Sequence, residues 1–198
     1  MKASTAETGR SGSDYGDLGD RILDAARRLV LRTGARKLSL SDVATLAGVS
    51  RPTIYRYFDC KEDLIDALGK QEYRRFTSAM ERAMIGVTGV ARLEAAIDVV
   101  ATFVEEQPPG RQLDLEPGFA HQQMARALPM IIEGLLPVLE KCAREDGFDA
   151  AVNSRNLAGA IARIALSHYV FPDTDPAVAR REIRAAAGLP VAGSRGTR

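Results

Sequence analysis

Five side chains between Arg51 and Tyr57 carry the most distinctive chemistry in this chain of 198 residues. Arg51 and Arg56 bring guanidinium forks, Thr53 a hydroxyl, and Tyr55 and Tyr57 rings with polar tips. These groups suit phosphate oxygens and base edges. Their spacing keeps them outward, because Ile54 and Phe58, at i and i+4, anchor the same short segment inward. The segment before it supplies the partner surface. Val43, Ala44, Leu46 and Ala47 form an apolar inner face, with Ala47 small where two helices would cross and Val49 plugging the turn. Gly48 can take positive φ and break the first helix. Two short helices joined by a tight Gly-containing turn, the second opening on polar and basic residues, are a helix-turn-helix pattern. A helix of this size fits a major groove about 12 Å wide, with residues near its N-terminus reaching base edges.

The other reactive side chains form no comparable group. His121 and His168 are isolated in sequence, and Ser154 and Ser167 have no Gly-x-Ser-x-Gly setting for nucleophilic attack. Cys60 and Cys142 make neither a disulfide framework nor a metal site, and Cys142 reads as a buried small hydrophobe. The pairs Glu105-Glu106 and Glu145-Asp146 read as solvated helix ends. We expect no enzyme activity, no metal and no cofactor.

The elements that position the motif are helical. Leu18, Ile22, Ala25, Ala26, Leu29 and Val30 recur at helical spacing over 17–32, and Gly34 suits a left-handed cap behind them. Ser39 to Asp42 offers helix-start oxygens for a helix over 41–47, and Ser50 caps the next one with Pro52 in its first turn. Further helices are expected over 60–84, 91–106, 119–146 (one or two, bent at Pro129 and Pro137), 149–170 and 176–187. The stretch from Gln107 to Gly118 reads as a loop. No alternating β-branched runs or hairpin signals occur, so the fold class is all-α. Residues 1–16 and 190–198 read as flexible tails, too poor in apolar groups to offset ordering entropy. The domains are then 17–64 and 65–189.

Overall the chain holds 27 basic and 26 acidic residues, a net charge of +1. That total argues against a polyelectrolyte that binds nucleic acid by bulk charge. The distribution is uneven. Residues 1–80 hold 14 basic and 11 acidic residues, a net +3, and 81–198 hold 13 and 15, a net −2. Within 36–57, Arg36, Lys37, Arg51 and Arg56 face Asp42 alone. The longest run without Asp, Glu, Lys or Arg is ten residues, Ala185–Ser194. A bilayer span needs roughly 18, so a soluble, cytoplasmic protein with no membrane partner is expected.

Residues Ser41–Leu68, SDVATLAGVSRPTIYRYFDCKEDLIDAL, closely resemble the DNA-binding domain of the TetR family. The resemblance rests on the Ala-Gly-Val-Ser turn, the Thr-Ile-Tyr-x-Tyr-Phe helix and Lys61-Glu62-x-Leu64, and with the first helix it covers about 17–68. It implies a transcriptional regulator, most often a repressor, that binds double-stranded operator DNA as a homodimer. By the same resemblance Arg51 and Thr53 stand where base contacts are made, and Tyr55 and Tyr57 match groove-facing or phosphate-contacting aromatics. Lys61, and by analogy Ser41, match phosphate contacts at helix starts, with Arg36 or Lys37 on the flanking backbone. Pro52 departs from the common Gly or Lys and suits a thymine methyl, with Arg56 completing the DNA-binding set.

The resemblance further implies an effector pocket and a dimer interface in the second domain. Phe103, Phe119, Met124, Leu128, Met130, Ile131 and Leu135 flank the proline-rich loop, with Met84 and Ile85 late in the preceding helix. Their apolar character, with Arg126 and Glu133 as the few charged candidates, points to a small, largely apolar ligand; plain core is the competing reading for each. For the interface, Leu157, Ile161, Ile164 and Ala165 are interleaved with small residues, and Val178 lies on the apolar face of the last helix. Intrachain core packing competes here too. Two rival functions stay open: a sensor or enzyme with a vestigial DNA-binding head, and an activator or weakly specific global binder.

Overall fold

The first helix, α1 (Gly12–Thr33), is amphipathic and buries Ile22, Ala25, Ala26 and Val30 on the expected face, together with Leu23. Leu18 and Leu29 are half-buried at its edges. In this computed structural model, residues 12–106, 117–145, 153–171, 173, 175 and 177–190 are described. All eight regular elements among them are α-helices. The chain divides into two units, Met1–Leu68 and Gly69–Arg198.

In the first unit α1 starts five residues before the expected position. The helix thus reaches into the polar segment that precedes its apolar face. The rest of that expected tail, residues 1–11, lies outside the described residues, as does 191–198 at the other end. Gly34 closes α1 at φ 83°, its N–H donating to the Val30 carbonyl at 2.9 Å. Then follow α2 (Leu40–Ala47), α3 (Arg51–Tyr57) and the start of α4 (Lys61–Ala83). Ser39 rather than Ser41 caps α2, accepting from the Asp42 N–H at 3.1 Å, so that helix begins one residue early. Gly48 ends it at φ 68°. Leu46 corrects the expected inner face. Val43, Ala44 and Ala47 are buried, but Leu46 lies about 100° around the helix from the centre of their arc and is 39% exposed.

In the second unit the remainder of α4 packs with α5 (Gly89–Glu105), α6 (Pro117–Glu145), α7 (Ser154–Val170) and α8 (Ala177–Ala186). Their core joins Phe76, Leu93, Ile97, Val100, Ile131, Leu135, Leu139, Ile161 and Ile183. Small side chains set the close approaches: Ala96 and Ala101 on α5, and Ala158, Ala162 and Ala165 on α7, are all fully buried. One such close approach is at Gly134, where a Cβ would stand 2.6 Å from the Phe76 ring. Pro129 and Pro137 do not divide α6. Each removes a bond to the carbonyl four residues earlier, at Ala125 and Glu133, and all four residues are exposed, where water can serve those carbonyls. Helix α7 begins at Ser154 rather than 149, because the Asn153 side chain caps it by accepting from the Arg155 and Asn156 N–H groups. Residues 149–152, and the loop residues 107–116, lie outside the described residues.

Two expectations about charge and packing are corrected. Glu145, Glu105 and Glu106 are not merely solvated: Glu145 pairs at 2.8 Å with Arg92, only 5% exposed, while Glu105 pairs with Arg180 at 3.1 Å and Glu106 with Arg75 at 3.5 Å. Ile161 and Ala165, expected at a dimer interface, are at 0% exposure within the single chain and have no surface left for a partner. Helix α8 is also tied to α5 by Arg184 to Glu94 at 2.7 Å and by Arg180 to Asp98 at 2.6 Å.

Gly134→Ala should destabilise the chain by about 1–3 kcal/mol through overpacking against Phe76, read by urea unfolding, and Phe76→Leu in the same chain should recover part of the loss. The Glu145 carboxyl is held below its usual value by the hydrogen bond from Arg92. Its pairing therefore stabilises the fold above the ordinary value of 4.5 and is lost as pH falls through the lowered one. Unfolding midpoints of the wild type and Glu145→Gln should accordingly differ at neutral pH and converge in acid; a constant gap would contradict the assignment.

Candidate nucleic-acid interface

A seven-residue helix has too few internal hydrogen bonds to persist alone, so α3 depends on its ends and its anchors. Ser50 caps the start: its Oγ accepts from the Thr53 N–H at 3.2 Å and lies 2.7 Å from the Thr53 hydroxyl. Pro52 occupies the first turn, where its missing N–H costs nothing. Ile54 is fully buried and Phe58 nearly so, and the Phe58 N–H closes the helix on the Ile54 carbonyl at 3.0 Å. With those two fixed inward, Arg51, Pro52, Tyr55 and Arg56 are exposed. Together they form a basic, aromatic ridge about two turns long.

The remaining residues of the set are placed differently. Thr53 is half-buried and its hydroxyl shares the cap with Ser50, which leaves its methyl as the simplest outward contact. Tyr57 is half-buried, with its ring 3.6 Å from where a Cβ on Gly19 of α1 would stand. Ser41 is half-buried in the first turn of α2. The Lys61 ammonium donates to the Arg36 carbonyl at 2.9 Å, tying the start of α4 to the α1–α2 connection and leaving two of its three donors for other acceptors. Neighbouring Cys60 is exposed, its thiol donating to the Asp63 carboxylate at 3.2 Å. Sequence reasoning missed Arg21, whose Nη2 donates to the Ala47 carbonyl at 3.0 Å. No local pattern marks it, since its acceptor lies 26 residues away.

The residues expected to line an effector pocket are dispersed by burial. Met130, Ile131 and Leu135 are inside the core of the second unit, and Met84, Phe103 and Leu128 pack half-buried against it, Phe103 edge-on to Phe76 at 5.2 Å. Met124 is half-buried, Ile85 is 77% exposed, and the Phe119 side chain lies outside the described residues. Leu157, Ile164 and Val178, of the expected interface, are half-buried. His168 is not isolated in space: it meets Glu182 across α7 and α8 at 3.1 Å. Among the described residues no group of His, Cys, Asp and Glu could hold a metal ion, and no helix is long and apolar enough to cross a membrane.

Residues 22–68 match the family of bacterial regulatory proteins of the tetR type. The chain is 37% identical over 90 residues to an uncharacterised HTH-type transcriptional regulator of Mycobacterium tuberculosis, a match covering 45% of each. It is 26% identical over 133 residues to the HTH-type transcriptional activator FasR of Mycolicibacterium smegmatis, covering 66% of this chain and 61% of that protein. The chain thus spans about half the length of the curated relatives it matches. In fold it is similar to a TetR transcription regulator from Haloarcula marismortui, with a TM-score of 0.68, 18% identity, and 87% and 97% of the two chains covered.

Ser50→Ala should remove the cap of α3 and cost about 1 kcal/mol of stability, with Ser50→Asp retaining most of it, both read by urea unfolding.

Proposed function

We propose that this chain, whose residues 22–68 match the tetR family of bacterial regulatory proteins, is a cytoplasmic, DNA-binding transcriptional repressor of that type, acting as a homodimer on a palindromic operator. The observation that carries this reading is the exposed ridge Arg51, Pro52, Tyr55 and Arg56 on a helix whose opposite side, Ile54 and Phe58, is fixed inward. Arg51, in the first turn of α3, suits a bidentate pair with guanine O6 and N7, and Pro52 and the Thr53 methyl suit a thymine methyl. Lys61, Tyr55, Tyr57, Arg56 and Ser41 serve the phosphates, Lys61 through the two donors that Arg36 leaves unused.

A dimer is required because two recognition helices must reach grooves about 34 Å apart. The surface for it lies on α7 and α8, where Leu157, Ala160 and Ile164 share one flank and Val178 keeps exposed area. The effector is a small, mostly apolar molecule, held where half-buried Met84, Phe103, Met124 and Leu128 surround the core of the second unit. Its binding favours a spacing of the two DNA-binding heads that misfits the operator, and the coupling is the difference in its affinity for the two states. The protein is a binding device and not an enzyme.

A second reading, activation, is favoured by the name of the Mycolicibacterium relative. A reporter under the chain's own promoter region separates the two: repression gives higher output on deleting the regulator, activation lower.

Band-shift titration on that promoter DNA tests the DNA-binding reading, and absence of salt-dependent binding at every site refutes it. Arg51→Ala should cost about 1–3 kcal/mol and relax preference at one base position, whereas Lys61→Ala should weaken all duplexes alike and lower the salt slope by about 1. Equal loss on every sequence for Arg51→Ala would remove it from base reading.

A further inference from the structure

We infer that Arg21 of α1 is a positioning residue for the recognition helix, bracing the turn from which α3 starts; the inference rests on α3 being the helix that reads DNA. Its Nη2 donates to the carbonyl of Ala47 at 3.0 Å in a partly buried bond. Ala47 is the last residue of α2, and the final carbonyls of a helix have no partner within it. Two carbonyls of that end are served from the turn itself, Thr45 by the Gly48 N–H at 3.3 Å and Ala44 by the Val49 N–H at 2.9 Å. The Ala47 carbonyl is served by Arg21 from another helix. A guanidinium there makes a charge-assisted bond and meets the negative end of the α2 dipole.

The peptide it holds is the one that leads into Gly48, at φ 68°, and Ala47 stands three residues before the Ser50 cap. Two residues earlier on α1, Gly19 lies against the Tyr57 ring at the far end of α3. One turn of α1 therefore touches the chain just before α3 and at its last residue. Base recognition depends on hydrogen bonds with narrow distance limits, while phosphate attraction falls off gently with distance. A loosened turn should thus lose selectivity before it loses general affinity for DNA.

The test uses the full chain with Arg21→Ala and Arg21→Lys. The probes are a labelled duplex of about 30 base pairs, selected by the wild-type chain from a random pool, and a scrambled duplex of equal composition. Arg21→Ala should weaken the selected duplex about tenfold and leave the scrambled one within about twofold, with the salt slope unchanged. Arg21→Lys, which still offers a donor, should recover most of the loss. Amide exchange at Gly48, Val49 and Thr53 in the free protein should speed up in Arg21→Ala while that of Ile22 and Ala26 does not. Equal loss on both duplexes with a slope lower by about 1 would make Arg21 a phosphate contact and overturn the proposal. An unchanged affinity for the selected duplex or unchanged exchange at the turn would overturn it as well. If the wild-type chain selects no duplex, the DNA-binding reading itself falls and takes this role with it, whereas unchanged exchange at the turn removes the brace alone.

Discussion

The first unit depends on holding a helix that cannot hold itself. Seven residues give α3 only a few internal bonds, and nucleating a helix in water is unfavourable. Burial of Ile54 and Phe58 fixes its rotation, Ser50 satisfies the start, and the Phe58 N–H closes the end. Once rotation is fixed, the outward placement of Arg51, Pro52, Tyr55 and Arg56 follows from the helical repeat alone. The local sequence and the tertiary packing agree at every one of these positions, as a surface of defined geometry requires.

Other elements of that unit serve the same end. Gly34 and Gly48 close α1 and α2 in a conformation that would strain a side chain, so the chain can reverse within a few residues. Lys61 reaches back to the Arg36 carbonyl and Arg21 reaches across to that of Ala47. Both bonds connect a charged side chain to a backbone carbonyl between elements, so both fix backbone near the ridge without occupying the ridge itself.

The second unit is stabilised differently. Its helices are longer and meet through small residues, with Gly134 against Phe76 and the alanines of α5 and α7 at close approaches. Charge is used between helices: Arg180 and Arg184 join α8 to α5, and the buried Arg92 is compensated by Glu145 at the end of α6. Burying a guanidinium costs free energy unless it is paired and hydrogen-bonded, and the short, direct contact meets that condition.

What the sequence determined by itself was local. Helical periodicity, the Ser50 cap, the left-handed glycines and the Ile54/Phe58 spacing are written within three or four residues, the range over which helical backbone and side chains interact. The resemblance of 41–68 is legible for the same reason. What only the tertiary structure decided was which of several apolar or charged faces found a partner within the chain. Leu46 and Val43 look alike in sequence, but one is exposed and the other buried. Ile161 and Ala165 look suited to a partner surface and are consumed by the core. His168 with Glu182, Arg92 with Glu145 and Arg21 with Ala47 join residues 14, 53 and 26 positions apart. A side chain's type and neighbours state what it can bond to, but its partner is set by packing of whole helices, and no spacing along one helix encodes that.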